Sequence, residues 1–233
     1  MYLQITDHCN MVCPHCAFSC SPENNQFMTR EIFHDAIRFI SEYSSTISIG
    51  GGEPTTHPDF EYILFHSLAN FDVWMSTNGK IKEKAFVLSQ LAKKGIITVS
   101  LSIDDYHEPI DKEVIQWFTK KRGRLSSINS QDNDYRHIQN VTRIIKAGRA
   151  IKNNLWDVDD DCPCDVIFIE PNGKIKICGC ENSLYIGHVS TGLIIPEDAC
   201  MHIFNENICF NRSREWINDL FKDYKIEKLL EAA

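Results

Sequence analysis

From Tyr2 to Ile103 four strands alternate with three helices, and the strands themselves alternate polar with apolar residues. Tyr2–Thr6 reads as a first strand. From Thr29 to Tyr43, Ile32, Phe33, Ala36, Ile37, Ile40 and Tyr43 recur at helical spacing behind Thr29 as N-cap. Thr46–Gly50 is a second strand and Pro58–Leu68 a second helix, with proline near its first turn. Asp72–Thr77, Ile81–Lys94 and Ile96–Ile103 continue as strand, helix and strand. Helix returns at Lys112–Lys121, a fifth strand fits Gly123–Asn129, and Arg136–Ile151 reads as helix. Repeated βα units imply a parallel sheet with helices outside it.

Parallel strands covered on both faces should be apolar throughout. Here one face carries Leu3, Ile5, Ile47, Ile49, Val73, Met75, Val99, Leu101 and Ile103. The other carries Gln4, Thr6, Thr46, Ser48, Ser76, Asn78, Thr98, Ser100, Ser102 and Asp104. Side chains alternate faces with period two, so helices cover the apolar face and the sheet curls around a polar interior. A half-solvated sheet is the alternative. Beyond Ala150 the character changes. Asn153–Asp161 reads as an acidic linker, Asp165–Ile177 as a hairpin bent at Asn172-Gly173, and Arg212–Ala233 as an amphipathic helix.

Composition narrows the function. The net charge of −8 and the 24% charged content describe a soluble globular chain without a basic footprint, which argues against bulk binding to nucleic acid. No run of 18 apolar residues exists, and the first ten residues lack a basic and then apolar export signal. A cytoplasmic location away from membranes is the expectation. Ten cysteines are many for such a chain. In a reducing compartment clustered cysteines bind metal more often than they form disulfides.

The first group follows the first strand as Cys9-x3-Cys13-x2-Cys16. Three thiolates on one loop can hold three corners of a [4Fe–4S] cluster and leave one iron open to a substrate or cofactor. With Cys20 as a fourth ligand, the same loop could instead close around structural zinc.

This spacing resembles the radical S-adenosylmethionine (radical SAM) superfamily, with His15 in the family's aromatic place before the third cysteine. Gly50-Gly51-Gly52-Glu53-Pro54 resembles the family's GGEP motif, and Ser76-Thr77-Asn78-Gly79 and Ser102-Ile103-Asp104 end the next two strands as expected. The resemblance covers roughly residues 1–150 and implies a partial (βα) barrel, an α/β fold. It further implies S-adenosylmethionine at the open iron. His15, Gly51, Gly52, Glu53, Ser76, Asn78, Ser102 and Asp104 would form its cradle, and Arg149 would pair with the methionine carboxylate. Reductive cleavage would then give a 5′-deoxyadenosyl radical that abstracts hydrogen from a substrate, with electrons from a flavodoxin or ferredoxin.

The second group is Cys162, Cys164, Cys178, Cys180, Cys200 and Cys209. Its C-x10-G-x4-C stretch through Gly173 resembles the twitch and SPASM domains, which add an auxiliary cluster. A second [4Fe–4S] cluster within residues 151–233 follows from that resemblance; zinc is the alternative. One member of each C-x-C pair is expected to be free. Relatives with auxiliary clusters often modify peptides, which puts a peptide or protein substrate first, served by a separate leader-binding protein. A nucleoside, nucleotide or other small molecule is second. An activase that places a glycyl radical on a partner enzyme is third. A non-enzymatic iron–sulfur or zinc redox-sensing module is the remaining class, and such a module needs no cofactor cradle.

Overall fold

Every apolar strand residue named above from Leu3 to Leu101 is at most 3% exposed, as the two-face pattern requires. The computed structural model describes residues 1–120, 133–140, 144–156, 166–180 and 183–194. Five parallel strands form its centre: β1 (Tyr2–Gln4), β2 (Thr46–Gly50), β3 (Asp72–Thr77), β4 (Thr98–Ser102) and β5 (Arg136–Gln139). The connecting helices are α1 (Arg30–Tyr43), α2 (Phe60–Leu68), α3 (Lys82–Lys93) and α4 (Lys112–Phe118). Thr29 caps α1, its hydroxyl accepting from the Ile32 amide at 3.2 Å. Phe33, Ala36, Phe39 and Ile40 of α1 are buried, one stripe of the helix. Each large apolar side chain so buried contributes about 1.5–3 kcal/mol.

The helix expected at Arg136–Ile151 is a correction. Arg136–Gln139 is a strand, and only α5 (Arg149–Lys152) is helical in the described part of that segment. The Val99 amide of β4 donates to the Tyr135 carbonyl at 3.1 Å, and the Ile103 amide, just past β4, to the Gln139 carbonyl at 2.9 Å. Pairing with a free sheet edge outweighs the local pattern. The strand expected at Gly123–Asn129 lies outside the described residues, as does the helix expected at Arg212–Ala233. The second helix begins at Phe60 rather than Pro58, after a single 3-10 turn at Pro54–Thr56.

The hairpin forms as expected. β6 (Phe168–Ile169) and β7 (Lys174–Lys176) pair antiparallel around Gly173, whose φ of 86° suits glycine. β6 also lies parallel to β1, pairing Tyr2 with Phe168 and Leu3 with Ile169. β8 (Tyr185–His188) and β9 (Gly192–Leu193), not read from sequence, extend the sheet. Its order is β5-β4-β3-β2-β1-β6-β7-β8-β9, open at both ends among the described residues. The polar face is open where Trp74 is 53% exposed. All five parallel strands release their chains at one edge, where ligands of such sheets bind.

Candidate active site

The first cysteine loop is fixed to the second by backbone. The Gly52 amide donates to the Thr6 carbonyl at 2.8 Å and the Glu53 amide to the His8 carbonyl at 2.9 Å. A Cβ on Gly52 would stand 2.1 Å from the His8 oxygen, and one on Gly51 2.6 Å from the Thr6 oxygen. The two glycines therefore let one strand end lie against another. The far side of the cysteine loop is held by Arg149. Its Nε donates to the Cys13 carbonyl at 2.9 Å, its Nη2 to the Cys20 carbonyl at 2.7 Å and its amide to the Cys16 carbonyl at 3.0 Å. Arg149 thus buttresses the loop, and it is absent from the cavity wall.

That wall encloses about 140 Å³. Cys9, Cys13, Cys16 and Cys20 line it together with His15, Gly52, Glu53, Ser76, Thr77, Asn78, Ser102 and His107. Six of the cradle residues anticipated from sequence therefore meet the three cysteines. Gly51 lies behind the wall as packing. Asp104 stands beside it, with Oδ2 3.7 Å from His15 Nε2. Thr77 was not anticipated as a site residue; His107, which follows the fourth strand, was expected near the cofactor and within reach of substrate, and it does line the wall. Thr77 has the parity of the apolar face, and it reaches the wall only because the strand ends there.

Glu53 is 1% exposed. Its Oε1 accepts from the Thr55 amide (3.1 Å), the Thr55 hydroxyl (2.5 Å) and the Thr77 hydroxyl (2.8 Å), and its Oε2 from the Asn78 amide (2.7 Å). Burial pushes its pKa up against these four bonds. Glu53 therefore knits the ends of β2 and β3 together. The Asn78 side chain donates to Asn10 Oδ1 at 2.8 Å and approaches Cys9 Sγ at 3.8 Å.

The thiols differ in kind. Burial pushes Cys9 up to about 11 and Cys13 up to about 12, so both hold protons at neutral pH until a metal displaces them. Cys16 is drawn down, first by the Cys20 side chain and then, against burial, by the amides of Cys20 and Phe18. Cys20 is driven up by the same contact. Burial opposes Asp104, yet hydrogen bonds from His107 and the Tyr106 amide hold its carboxyl below the ordinary range.

Which group this arrangement suits follows from spacing. Sulfurs around a tetrahedral zinc ion lie about 3.8 Å apart, given Zn–S bonds of about 2.3 Å. No three of the four cysteine sulfurs gather within 4.8 Å of one another. They suit the corners of a cluster better than the shell of one ion. Two buried atoms beside the wall, His15 Nδ1 and Asp104 Oδ2, lack a hydrogen-bond partner, whereas His107 Nδ1 stands 2.9 Å from Asp104 Oδ1. Such orphans mark a place for a polar ligand. The residues fit a cluster with a polar cofactor next to it.

The second cysteine group is described only at Cys178 and Cys180; Cys162, Cys164, Cys200 and Cys209 lie outside the described residues. The chain bends at 177–180. The two side chains meet, which with Ser183 lowers the pKa of Cys178. Both line a pocket of about 180 Å³ with Tyr2, Phe18 and Phe168. Phe18 belongs to the first cysteine loop, and its ring lies 5.2 Å from that of Phe168.

Comparison with known proteins agrees with this geometry. The family model for the Radical SAM superfamily matches residues 3–153. The mycofactocin maturase MftC of Mycobacterium ulcerans is 30% identical over 103 residues, covering 43% of this chain and 28% of that protein. The antilisterial bacteriocin subtilosin biosynthesis protein AlbA of Bacillus subtilis is 26% identical over 160 residues, covering 67% and 34%. The match spans about a third or less of either relative. The crystal structure of BtrN in complex with AdoMet and 2-DOIA has a TM-score of 0.57 at 14% identity, covering 83% of this chain and 78% of that one. It shares the fold. No helix among the described residues is long and apolar enough to cross a membrane.

Proposed function

Because this chain belongs to the Radical SAM superfamily, we propose that it holds a [4Fe–4S] cluster on Cys9, Cys13 and Cys16 and performs radical chemistry on a peptide or protein. One observation carries the reading: a single cavity collects these cysteines and the ends of β2, β3 and β4. Bound there, the cluster and S-adenosylmethionine supply C5′–S cleavage and a 5′-deoxyadenosyl radical that takes a hydrogen atom from the substrate.

The protein's own part is binding, orientation and shielding. Cys16, drawn down by three donors, is the thiol most ready to ligate as thiolate. The Gly50 carbonyl already accepts from the Ile5 amide at 3.0 Å, which leaves Gly52 as the glycine carbonyl at the wall for a cofactor ammonium. Ser76, Asn78 and Ser102 offer polar side chains from the neighbouring strand ends. His15 and Asp104 close the far side. Residues 1–150 form the catalytic unit in this reading. Residues 151–233 carry a second cluster, in which Cys178 and Cys180 are joined by members of the group Cys162, Cys164, Cys200 and Cys209. A flavodoxin or ferredoxin supplies the electron. The similarity to a maturase and to a bacteriocin biosynthesis protein favours a peptide substrate.

Anaerobic reconstitution tests the reading. With dithionite and S-adenosylmethionine the chain should release 5′-deoxyadenosine, and Cys13→Ala should abolish the release. Release that rises with a short peptide encoded beside the gene, but not with nucleosides, supports the substrate class. Release that rises only with nucleosides refutes it. Zinc-loaded material that forms no 5′-deoxyadenosine refutes the whole.

A further inference from the structure

The turn that follows β4 gathers three metal-ligating side chains in one place. Asp104 starts it. Its Oδ1 accepts from the Tyr106 amide at 2.8 Å and from the His107 amide at 3.1 Å, the local bonding by which an aspartate shapes a turn. The chain folds back, and His107 Nδ1 stands 2.9 Å from Asp104 Oδ1. His15 reaches the same carboxylate from the cysteine loop, with its Nε2 3.7 Å from Asp104 Oδ2. The His15 ring lies 5.1 Å from the rings of both Tyr106 and His107, so the turn also packs against it. One ligand atom from each of His15, Asp104 and His107 can be chosen so that all three lie within 4.8 Å of one another. The three side chains are 11%, 5% and 15% exposed. Among the described residues no lysine or arginine pairs with Asp104, and its Oδ2 has no hydrogen-bond partner. A carboxylate so buried calls for a counter-charge.

We propose that His15, Asp104 and His107 form a site for a divalent first-row transition-metal cation, bordering the cofactor cavity and separate from the cluster. Oδ1 of Asp104 is spent on the turn, so Oδ2 is the carboxylate oxygen left to ligate. Metal bonds of about 2.0–2.2 Å to imidazole nitrogen and carboxylate oxygen put neighbouring ligand atoms about 3–3.5 Å apart. The spacings on the two sides of the carboxylate, 2.9 and 3.7 Å, straddle that range. Two imidazoles with one carboxylate are a donor set of ferrous sites with open positions. The same set disfavours magnesium and calcium, which take oxygen ligands. Three protein ligands leave further positions on the cation for water or for an oxygen of the molecule in the cavity, whose wall His15 and His107 share. The inference goes beyond the cluster reading and does not depend on it, because none of the cysteines takes part.

Manganese(II) is the probe. The full chain is reconstituted anaerobically, kept with its cluster oxidised, desalted and titrated with MnCl2, while the paramagnetic resonance of free Mn2+ is followed. The wild type should take up about one equivalent per chain, and an excess of Mg2+ should not displace it. Losing a mere hydrogen-bond partner of a ligand costs a metal about 10–100-fold in affinity, so Asp104→Asn and His107→Gln should each weaken uptake about a hundredfold or more. Electron spin echoes of the wild type with substoichiometric Mn2+ should carry modulation from imidazole nitrogen. Should Asp104→Asn fail to fold, His107→Gln decides alone, since the turn at Asp104 bonds to backbone amides and outlasts that change. Uptake by a folded variant as tight as the wild type's overturns the proposal. So does a wild type that leaves the Mn2+ signal unchanged, that exchanges Mn2+ readily for Mg2+, or that shows no nitrogen modulation. Iron counted in the same samples judges the cluster separately: a chain that binds Mn2+ and holds no iron upholds this site and sinks the reading above.

Discussion

Replacing Gly52 by alanine separates two roles a glycine can have in such a loop: making room for a ligand, or for its own chain. The new Cβ would meet the His8 carbonyl oxygen at 2.1 Å and its carbon at 2.5 Å. Real Cβ contacts essentially never fall below 3.0 Å, so one loop must retreat by about 0.9 Å. Both partners are backbone, and no side chain can turn away. The retreat stretches the Gly52–Thr6 and Glu53–His8 hydrogen bonds, now 2.8 and 2.9 Å. Each contributes about 0.5–1.5 kcal/mol, and overpacking adds about 1–3 kcal/mol. The expected loss is about 2–4 kcal/mol in the metal-free chain. Gly51→Ala, whose Cβ meets the Thr6 oxygen at 2.6 Å, needs a smaller shift and should lose less. Urea unfolding of the metal-free, reduced proteins reads both, as midpoint shifts at constant slope. Were Gly52→Ala as stable as wild type, or less damaged than Gly51→Ala, the packing argument would fail.

Arg149→Ala should remove two side-chain bonds to the cysteine loop, lower metal-free stability by about 1–3 kcal/mol and reduce iron retention. Arg149→Lys should recover little, because an ammonium cannot span both carbonyls; iron per chain after desalting checks both. Cys178→Ser and Cys180→Ser should bring iron from about eight to about four per chain while release of 5′-deoxyadenosine without substrate persists. Asp134 is held below its ordinary 3.8 by hydrogen bonds from Arg136, and its contribution is therefore present above about pH 4 and fades as pH falls through the lowered value. Asp134→Asn should cost about 1 kcal/mol at pH 7 and nothing near pH 2, read by thermal melts across that range.

How much of this was legible in the sequence depends on what each element answers to. β2 and β3 have the expected bounds because their alternation is set by burial on one face, which residue order encodes directly. β5 has no such code. Residues 137–139 are exposed, and the segment is a strand because β4 offers an unpaired edge, a fact about neighbours. The same holds in the site. Cys9, Cys13, Cys16, Glu53 and Asn78 could be named together from sequence because they stand at or after strand ends, and one cavity wall holds them all. The resemblance pairs Arg149 with a carboxylate; in the described chain it meets three carbonyls of a loop 129 to 136 residues away, and residue type alone cannot choose between two acceptors of the same guanidinium.

The position of β1 has a consequence for how the protein comes into being. Its two neighbours are β2, more than forty residues downstream, and β6, whose approach includes the Tyr2 amide donating to the Ile167 carbonyl at 2.9 Å. A chain emerging from the ribosome can seat one flank of its first strand early, but the other flank waits until residue 169 has been made. Contacts so distant in sequence form late. Until then the loop bearing Cys9, Cys13, Cys16 and Cys20 has β2 beside its strand but not β6. A cluster loaded in that interval would meet a strand still uncovered on one flank.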